Sequence, residues 1–220
     1  MSYEATRERL HSYFDRNAAE TWARLTSDAP VSRIRQTVRE GRDTMRAAML
    51  DALPSDLTGK RVLDAGCGAG QMAIELAERG ADVIAVDISP SLIEVARQRT
   101  PAGLSEYIDY RAGDMLADYG TVDHVVAMDS LIHYAAPDIA AALATLGRRS
   151  RGKIVFTVAP KTPALTAMWW AGKLFPRSDR SPAIRPHSAA RISRELDRPV
   201  TEVARVSRGF YISQALELAP

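Results

Sequence analysis

Residues Arg61–Gly70 read "RVLDAGCGAG". A short apolar run meets a loop with glycine at Gly66, Gly68 and Gly70. The run predicts a buried strand. The three glycines let backbone approach a ligand that side chains would exclude. "AGQMAIELAERG" (Ala69–Gly80) follows as a helix, with a left-handed cap expected at Gly80. Strand, glycine loop and helix together open a βαβ unit.

Outward from that unit the same alternation repeats. "ADVIAVD" (Ala81–Asp87) predicts a strand, and "SPSLIEVARQR" (Ser89–Arg99) a helix with Ser89 as N-cap and Pro90 in its first turn. "YIDYRAG" (Tyr107–Gly113) and "VDHVVAMD" (Val122–Asp129) are strands, "PDIAAALATLGRR" (Pro137–Arg149) is a helix, and "GKIVFTVA" (Gly152–Ala159) is a strand. "VTEVARVSRG" and "FYISQALEL" close the chain as an antiparallel hairpin turned at Arg208-Gly209. Strands alternating with helices predict an α/β fold with a parallel sheet. Upstream, residues 3–52 read mainly as helix, with Ile34, Val38, Met45, Met49 and Leu53 at helical spacings interrupted by Gly41. The expected division is an N-terminal helical arm over residues 1–58 and a main domain over 59–220, with an insertion at about 160–186.

Composition narrows the function. A chain of 220 residues that is 46% hydrophobic and 25% charged buries a full-sized core. Its 29 basic and 27 acidic residues leave a net charge of +2, so a nucleic acid is not an expected partner. The single cysteine, Cys67, excludes an internal disulfide framework or cysteine-rich zinc site, and no metal ligands are assigned. "MSYEATRERLHSYFDR" lacks a signal peptide's apolar core. "PALTAMWWAGKLF" (Pro163–Phe175) is too short to span a bilayer and contains Lys173. A cytoplasmic protein is expected, with contact to a membrane surface left open.

The glycine loop is GxGxG, not the GxGxxG of dinucleotide-binding domains. Asp87 ends the second strand, twenty-one positions after Gly66, a spacing for a carboxylate that accepts both hydroxyls of an adenosine ribose. Asp114, in "AGDM", ends the third strand, where it can accept an adenine amino group. All lie at carboxyl ends of strands, where open α/β sheets bind ligands. One glycine alone would be an ordinary turn, but three in register with two carboxylates describe a nucleoside site. Cys67 reads as a small residue filling the turn.

The set "VLDAGCGAG … VDIS … AGDM … MDSLIHY" resembles class I S-adenosylmethionine-dependent methyltransferases over roughly Arg61–Ala159. The resemblance implies a Rossmann-like sheet of seven strands, mostly parallel, with helices on both faces and the last strand antiparallel. It implies S-adenosylmethionine as cofactor and S-adenosylhomocysteine as product. Asp64 would help hold the methionine amino group. Ala65, Gly66, Gly68, Gly70, Asp87, Ile88, Gly113, Asp114, Met115, Met128 and Asp129 would line the cofactor. Tyr13, with Phe14 and Trp22, reads either as core of the arm or, for Tyr13, as closing over the cofactor.

The arm "YFDRNAAETWARLTSDAPVSRIRQTVREGR", the insertion "FTVAPKTPALTAMWWAGKLFPRSDRSPAIRP", "LIHY" and "SRGFYISQALEL" resemble the Mg-protoporphyrin IX O-methyltransferases of (bacterio)chlorophyll biosynthesis over almost the whole chain. This implies methyl transfer to one propionate of Mg-protoporphyrin IX, giving the monomethyl ester. It also suggests docking of the porphyrin-binding subunit of Mg-chelatase, while peripheral contact of the basic insertion with the photosynthetic membrane stays open. One departure stands out. In the oxygenic branch a tyrosine occupies the place of Thr26, so that phenol's role does not carry over.

The residues fit such a substrate on their own chemistry. A metalloporphyrin is an apolar disc with two anionic tails. Trp169, Trp170 and Phe175 offer aromatic surface for the disc, and Arg177, Arg180 and Arg185 could pair with carboxylates. The competing reading is an amphipathic helix packed on the core beside a solvated basic loop. A propionic acid ionises near pH 4.3, about where Glu does, so the nucleophile needs no general base. A dry site that aligns the reacting atoms helps most. An arginine clamped on the attacking oxygen would favour the ground state, so the arginines are expected on the propionate that does not react. His133 and Tyr134 follow the fourth strand, where the methyl group should point. His133 reads as a neutral donor to the reactive carboxylate, with axial magnesium ligation or a buried structural role as alternatives. His11, His124 and His187 have no comparable context. Three rivals compete: a methyltransferase of a quinone or other small acceptor, a nicotinamide-dependent dehydrogenase, against which GxGxG argues, and a silent porphyrin carrier.

Overall fold

The structure is a computed structural model, and the residues described are 2–14, 33–161 and 183–219. Strands β1 (Arg61–Ala65), β2 (Asp82–Asp87), β3 (Ile108–Ala112), β4 (His124–Ala127) and β5 (Ile154–Pro160) alternate with helices α3 (Gln71–Glu78), α4 (Pro90–Arg99) and α5 (Ala136–Gly147). Then come β6 (Pro186–His187), α6 (Ala189–Leu196), β7 (Thr201–Arg208) and β8 (Tyr211–Leu218), while α1 (Tyr3–Tyr13) and α2 (Arg33–Asp51) precede the sheet. The strand order is β3-β2-β1-β4-β5-β8-β7. Neighbours from β3 to β5 pair in parallel, and β8 runs antiparallel to both β5 and β7. This is the expected Rossmann-like sheet of seven strands, with β6 added as a two-residue eighth strand beside β5.

Strand side chains alternate between faces, and both faces here are covered. Val62 of β1 joins one core with Met45 and Met49 of α2, Leu76 of α3 and Ile93 of α4. Leu63 joins the other, with Leu10 of α1, Ile139 and Leu143 of α5 and Ile192 of α6. Burial on two faces explains why the strands read as continuous apolar runs. Phe156 on central β5 is fully buried, and its truncation to Ala would cost about 3–5 kcal/mol.

Local signals behave as read. Ser89 accepts from the Leu92 amide to cap α4, and Gly80 takes φ +88° beyond α3. The closing hairpin turns at Gly209, whose φ is +58°. Gly41, which interrupted the α2 pattern, is there for packing. A Cβ on it would lie 2.7 Å from the Tyr211 ring, so glycine is what lets α2 seat against β8. Neither α6 nor β6 was foreseen. No helix among the described residues is long and apolar enough to cross a membrane.

Candidate functional site

The carboxyl ends of β1, β2, β3 and β4 open into a cavity of about 290 Å³. One face of α1 contributes Tyr3, Arg7 and Leu10 to it, continued by Phe14 just beyond the helix. The spacing of these four follows the helical period, which puts them on one side of the helix.

The glycine loop turns under this helix. The amides of Gly66 and Cys67 donate to the Val86 carbonyl at 2.8 and 3.0 Å, tying the loop to the end of β2. Gly66 has φ +90°, and a Cβ there would lie 2.4 Å from Ser130 Cβ. Only glycine fits both demands. Asp87 accepts the Gly68 amide on Oδ2 and the Ser89 amide on Oδ1, each at 2.9 Å. A carboxylate has about four acceptor sites, so about two remain for ribose hydroxyls. Burial raises the Asp87 pKa against the pull of those amides.

Beneath the loop, Asp64 is 1% exposed. Its Oδ2 has no hydrogen-bond partner among the described residues. Burial first, and then the Asp87 charge, push its pKa up to about 8. An orphaned, buried carboxylate oxygen fits a cationic amino group, the group that S-adenosylmethionine presents. The residues present therefore fit the cofactor.

Asp114 sits at the other end. Its Oδ1 accepts the Tyr3 hydroxyl at 2.7 Å and the Leu116 amide at 2.9 Å, and its Oδ2 accepts Arg7 at 2.6 Å. Burial would raise its pKa, but the Leu116 amide, the Tyr3 hydroxyl and Arg7 together hold it below the usual carboxylate range. Three of about four acceptor sites are used, leaving one for an adenine amino group.

After β4 the chain passes through Asp129 and a 3-10 turn, Leu131–His133. Asp129 has φ +54°, a left-handed conformation that Asp tolerates. Its amide donates to Thr157 Oγ1 at 2.7 Å, and its carboxylate accepts Arg42 of α2 and the Tyr211 hydroxyl at 3.2 Å. His133 lines the cavity, 7% exposed, with Phe14 tilted against it at 6.4 Å between ring centroids. Tyr134 is buried and stacks on Tyr3 at 4.9 Å. Tyr3 therefore touches both the adenine-end carboxylate and the loop carrying His133.

Of the residues singled out from sequence, Gly66, Gly68, Asp87, Ile88, Gly113, Asp114, Met115, Met128, Asp129, His133 and Tyr134 line the one cavity. Asp64, Ala65 and Gly70 do not line it: Asp64 and Ala65 are buried in β1, and Gly70 caps α3. Tyr13 is also absent from the lining. Its ring packs edge-on against Phe14, and the places over the cavity go to Tyr3 and Phe14. Arg185 is half-buried beside the turn that carries His133, its amide donating to the Ile132 carbonyl at 2.8 Å. Trp169, Trp170, Phe175, Arg177 and Arg180 lie outside the described residues. Sequence reasoning missed Tyr3, Arg7, Arg42 and Tyr211. Helical spacing alone could have flagged Tyr3 and Arg7 as facing with Leu10.

A glycine loop after the first strand, with carboxylates at the ends of the second and third strands and this strand order, is the pattern of a class I S-adenosylmethionine-dependent methyltransferase. Residues 62–151 match the family described as "Methyltransferase domain", and residues 127–220 match "Magnesium-protoporphyrin IX methyltransferase C-terminus". The chain belongs to the magnesium-protoporphyrin O-methyltransferase family. It is 57% identical to the magnesium-protoporphyrin O-methyltransferase of Rhodobacter capsulatus, over 99% of this chain and 98% of that one. It is 30% identical to the Synechocystis enzyme of the same name, over 94% of each chain. The crystal structure of magnesium protoporphyrin IX methyltransferase from Synechocystis with bound S-adenosylhomocysteine superposes with a TM-score of 0.82. That match has 28% identity and covers 96% of this chain and 98% of that one.

Proposed function

We propose that this cavity brings a methyl donor and one propionate of Mg-protoporphyrin IX together and yields the monomethyl ester. The observation that carries the reading is that the nucleoside carboxylates and His133 meet in one cavity roofed by α1. S-adenosylmethionine, when bound, supplies an electrophilic methyl group. Asp87 would hold its ribose and Asp114 its adenine, while Asp64, buried in β1 behind the lining, would act on its amino group through its charge. The propionate arrives ionised, so no side chain has to remove a proton. What His133 supplies is orientation, as a neutral donor on the reacting carboxylate, while burial under Phe14 keeps water away. Residues 1–58 act as the cap, and the insertion at about 160–186 holds the substrate.

The cavity is near the lower end of the range for small-molecule sites, roughly 300–1,000 Å³. It accommodates the donor and a propionate arm, and leaves the macrocycle at the mouth. There Phe210 is 71% exposed and Ile184 47% exposed, although both border the cavity. Exposed apolar side chains at a cavity rim fit the disc of a porphyrin. Peripheral membrane contact and receipt of porphyrin from the chelatase subunit rest on that same rim.

The test uses Mg-protoporphyrin IX with both propionates already esterified. It should compete with the free acid for the enzyme and accept no labelled methyl. Label on the diester would overturn the carboxylate as acceptor.

A further inference from the structure

His187 had no evident context in the sequence, yet the fold gives it one. It lies in β6, which pairs with β5 through Ala159–Pro186 and Pro160–His187, and the Lys161 amide donates to the His187 carbonyl at 3.1 Å. On its other side β6 reaches the turn after β4. The Arg185 amide donates to Ile132 O at 2.8 Å, and His187 Nε2 lies 2.9 Å from Tyr134 O. A carbonyl only accepts, so Nε2 carries the proton. The carbonyls on either side of His133 are therefore held from a single strand, which leads out of the insertion.

The His187 ring is 6% exposed, and its Nδ1 has no hydrogen-bond partner among the described residues. Burying an imidazole with one nitrogen unsatisfied is costly, and an apolar residue would fill the space without that cost. What the imidazole adds is one fixed donor on the Tyr134 carbonyl. Burial lowers the His187 pKa, helped by Arg191 and Arg185 and opposed by the bond to Tyr134, and the net shift favours the neutral ring.

We propose that His187 is a positioning residue: its Nε2–H holds the Tyr134 carbonyl, and through it sets the His133 ring against the reacting carboxylate. The proposal rests on the methyltransfer reading above.

The test compares His187→Ala and His187→Gln, since the Gln side-chain amide restores a donor without an imidazole. Steady-state kinetics use Mg-protoporphyrin IX and S-adenosylmethionine at a temperature where circular dichroism shows both variants folded. His187→Ala should lose about 10- to 100-fold in kcat, the cost of a misplacement near 1 Å. Its porphyrin KM and its calorimetric Kd for S-adenosylhomocysteine should move by less than about threefold. His187→Gln should recover most of the loss. A second readout is independent of turnover. In protein carrying labelled histidine, the His133 ring resonance, assigned with His133→Gln, should shift in His187→Ala and stay near its place in His187→Gln. An unchanged kcat in the Ala variant, equal loss in both variants, or a His133 resonance that ignores both would each overturn the proposal. If wild-type protein fails to methylate Mg-protoporphyrin IX, the methyltransfer reading fails, while the resonance arm still reports on the His187–Tyr134 contact.

Discussion

At the scale of single residues, Asp64 makes a prediction in pH. Its folded-state pKa is about 8, well above the ordinary 3.8. Between those values the folded chain binds a proton that the unfolded chain has released. Stability from this group is therefore greatest at low pH and falls as pH rises from 3.8 towards 8. The raised pKa of Asp87 contributes with the same sign. Thermal melts of the cofactor-free protein should show Tm declining across that window. Asp64→Asn, which cannot ionise, should flatten the slope, and an unchanged slope would show that Asp64 does not titrate there. A cationic amino group beside Asp64 favours its charged form, so S-adenosylhomocysteine should raise Tm more at the alkaline end.

His133 gives the second prediction at this scale. His133→Ala should lower kcat by roughly 10- to 1,000-fold, the range for losing one placed donor and its alignment. His133→Gln should keep more activity than Ala, with donor binding unchanged in both. If Gln is as inactive as Ala, and the wild-type rate follows one ionisation near pH 6.5 that both variants lack, His133 is a base rather than an orienting donor.

At the scale of elements, α1 is held over the cavity by contacts that are distant in sequence. Tyr3 and Arg7 meet Asp114 more than one hundred positions away, and Arg42 of α2 meets Asp129. Removing both donors with Tyr3→Phe and Arg7→Ala should loosen the roof. Calorimetric affinity for S-adenosylhomocysteine should fall by about tenfold, or about 1.4 kcal/mol, a modest loss because Arg7 is partly exposed. Unchanged affinity would mean that α1 rests on the site without closing it. At the mouth, Phe210→Ala should raise the porphyrin KM while leaving donor affinity alone. Equal effects on both would assign Phe210 to the fold instead.

These elements also mark where reading the sequence stops. Every strand whose side chains are buried on both faces was legible, because burial writes itself as an apolar run. Ser89, Gly80 and Gly209 were legible because a cap or a left-handed turn restricts residue type locally. The carboxylates Asp64, Asp87 and Asp114 were legible as candidates because each lies at or just past the carboxyl end of a strand. Two-residue β6 carries no periodic signal, and His187 owes its role to a carbonyl 53 positions away. Tyr13 and Tyr3 are the same residue type on one helix, so type alone does not say which faces the cavity; the packing of Tyr3 on Tyr134 and of Leu10 in the core decides it.

For the molecule as a whole, the proposed function has a donor seated between Asp87 and Asp114 meet a porphyrin at the mouth beside His133. The most direct measurement is transfer of labelled methyl from S-adenosylmethionine by purified protein, offered Mg-protoporphyrin IX and a catechol-type quinol together. The account predicts label in the porphyrin as a base-labile monomethyl ester, with one methyl per macrocycle. Label in the quinol with none in the porphyrin, or no transfer to either, would contradict it.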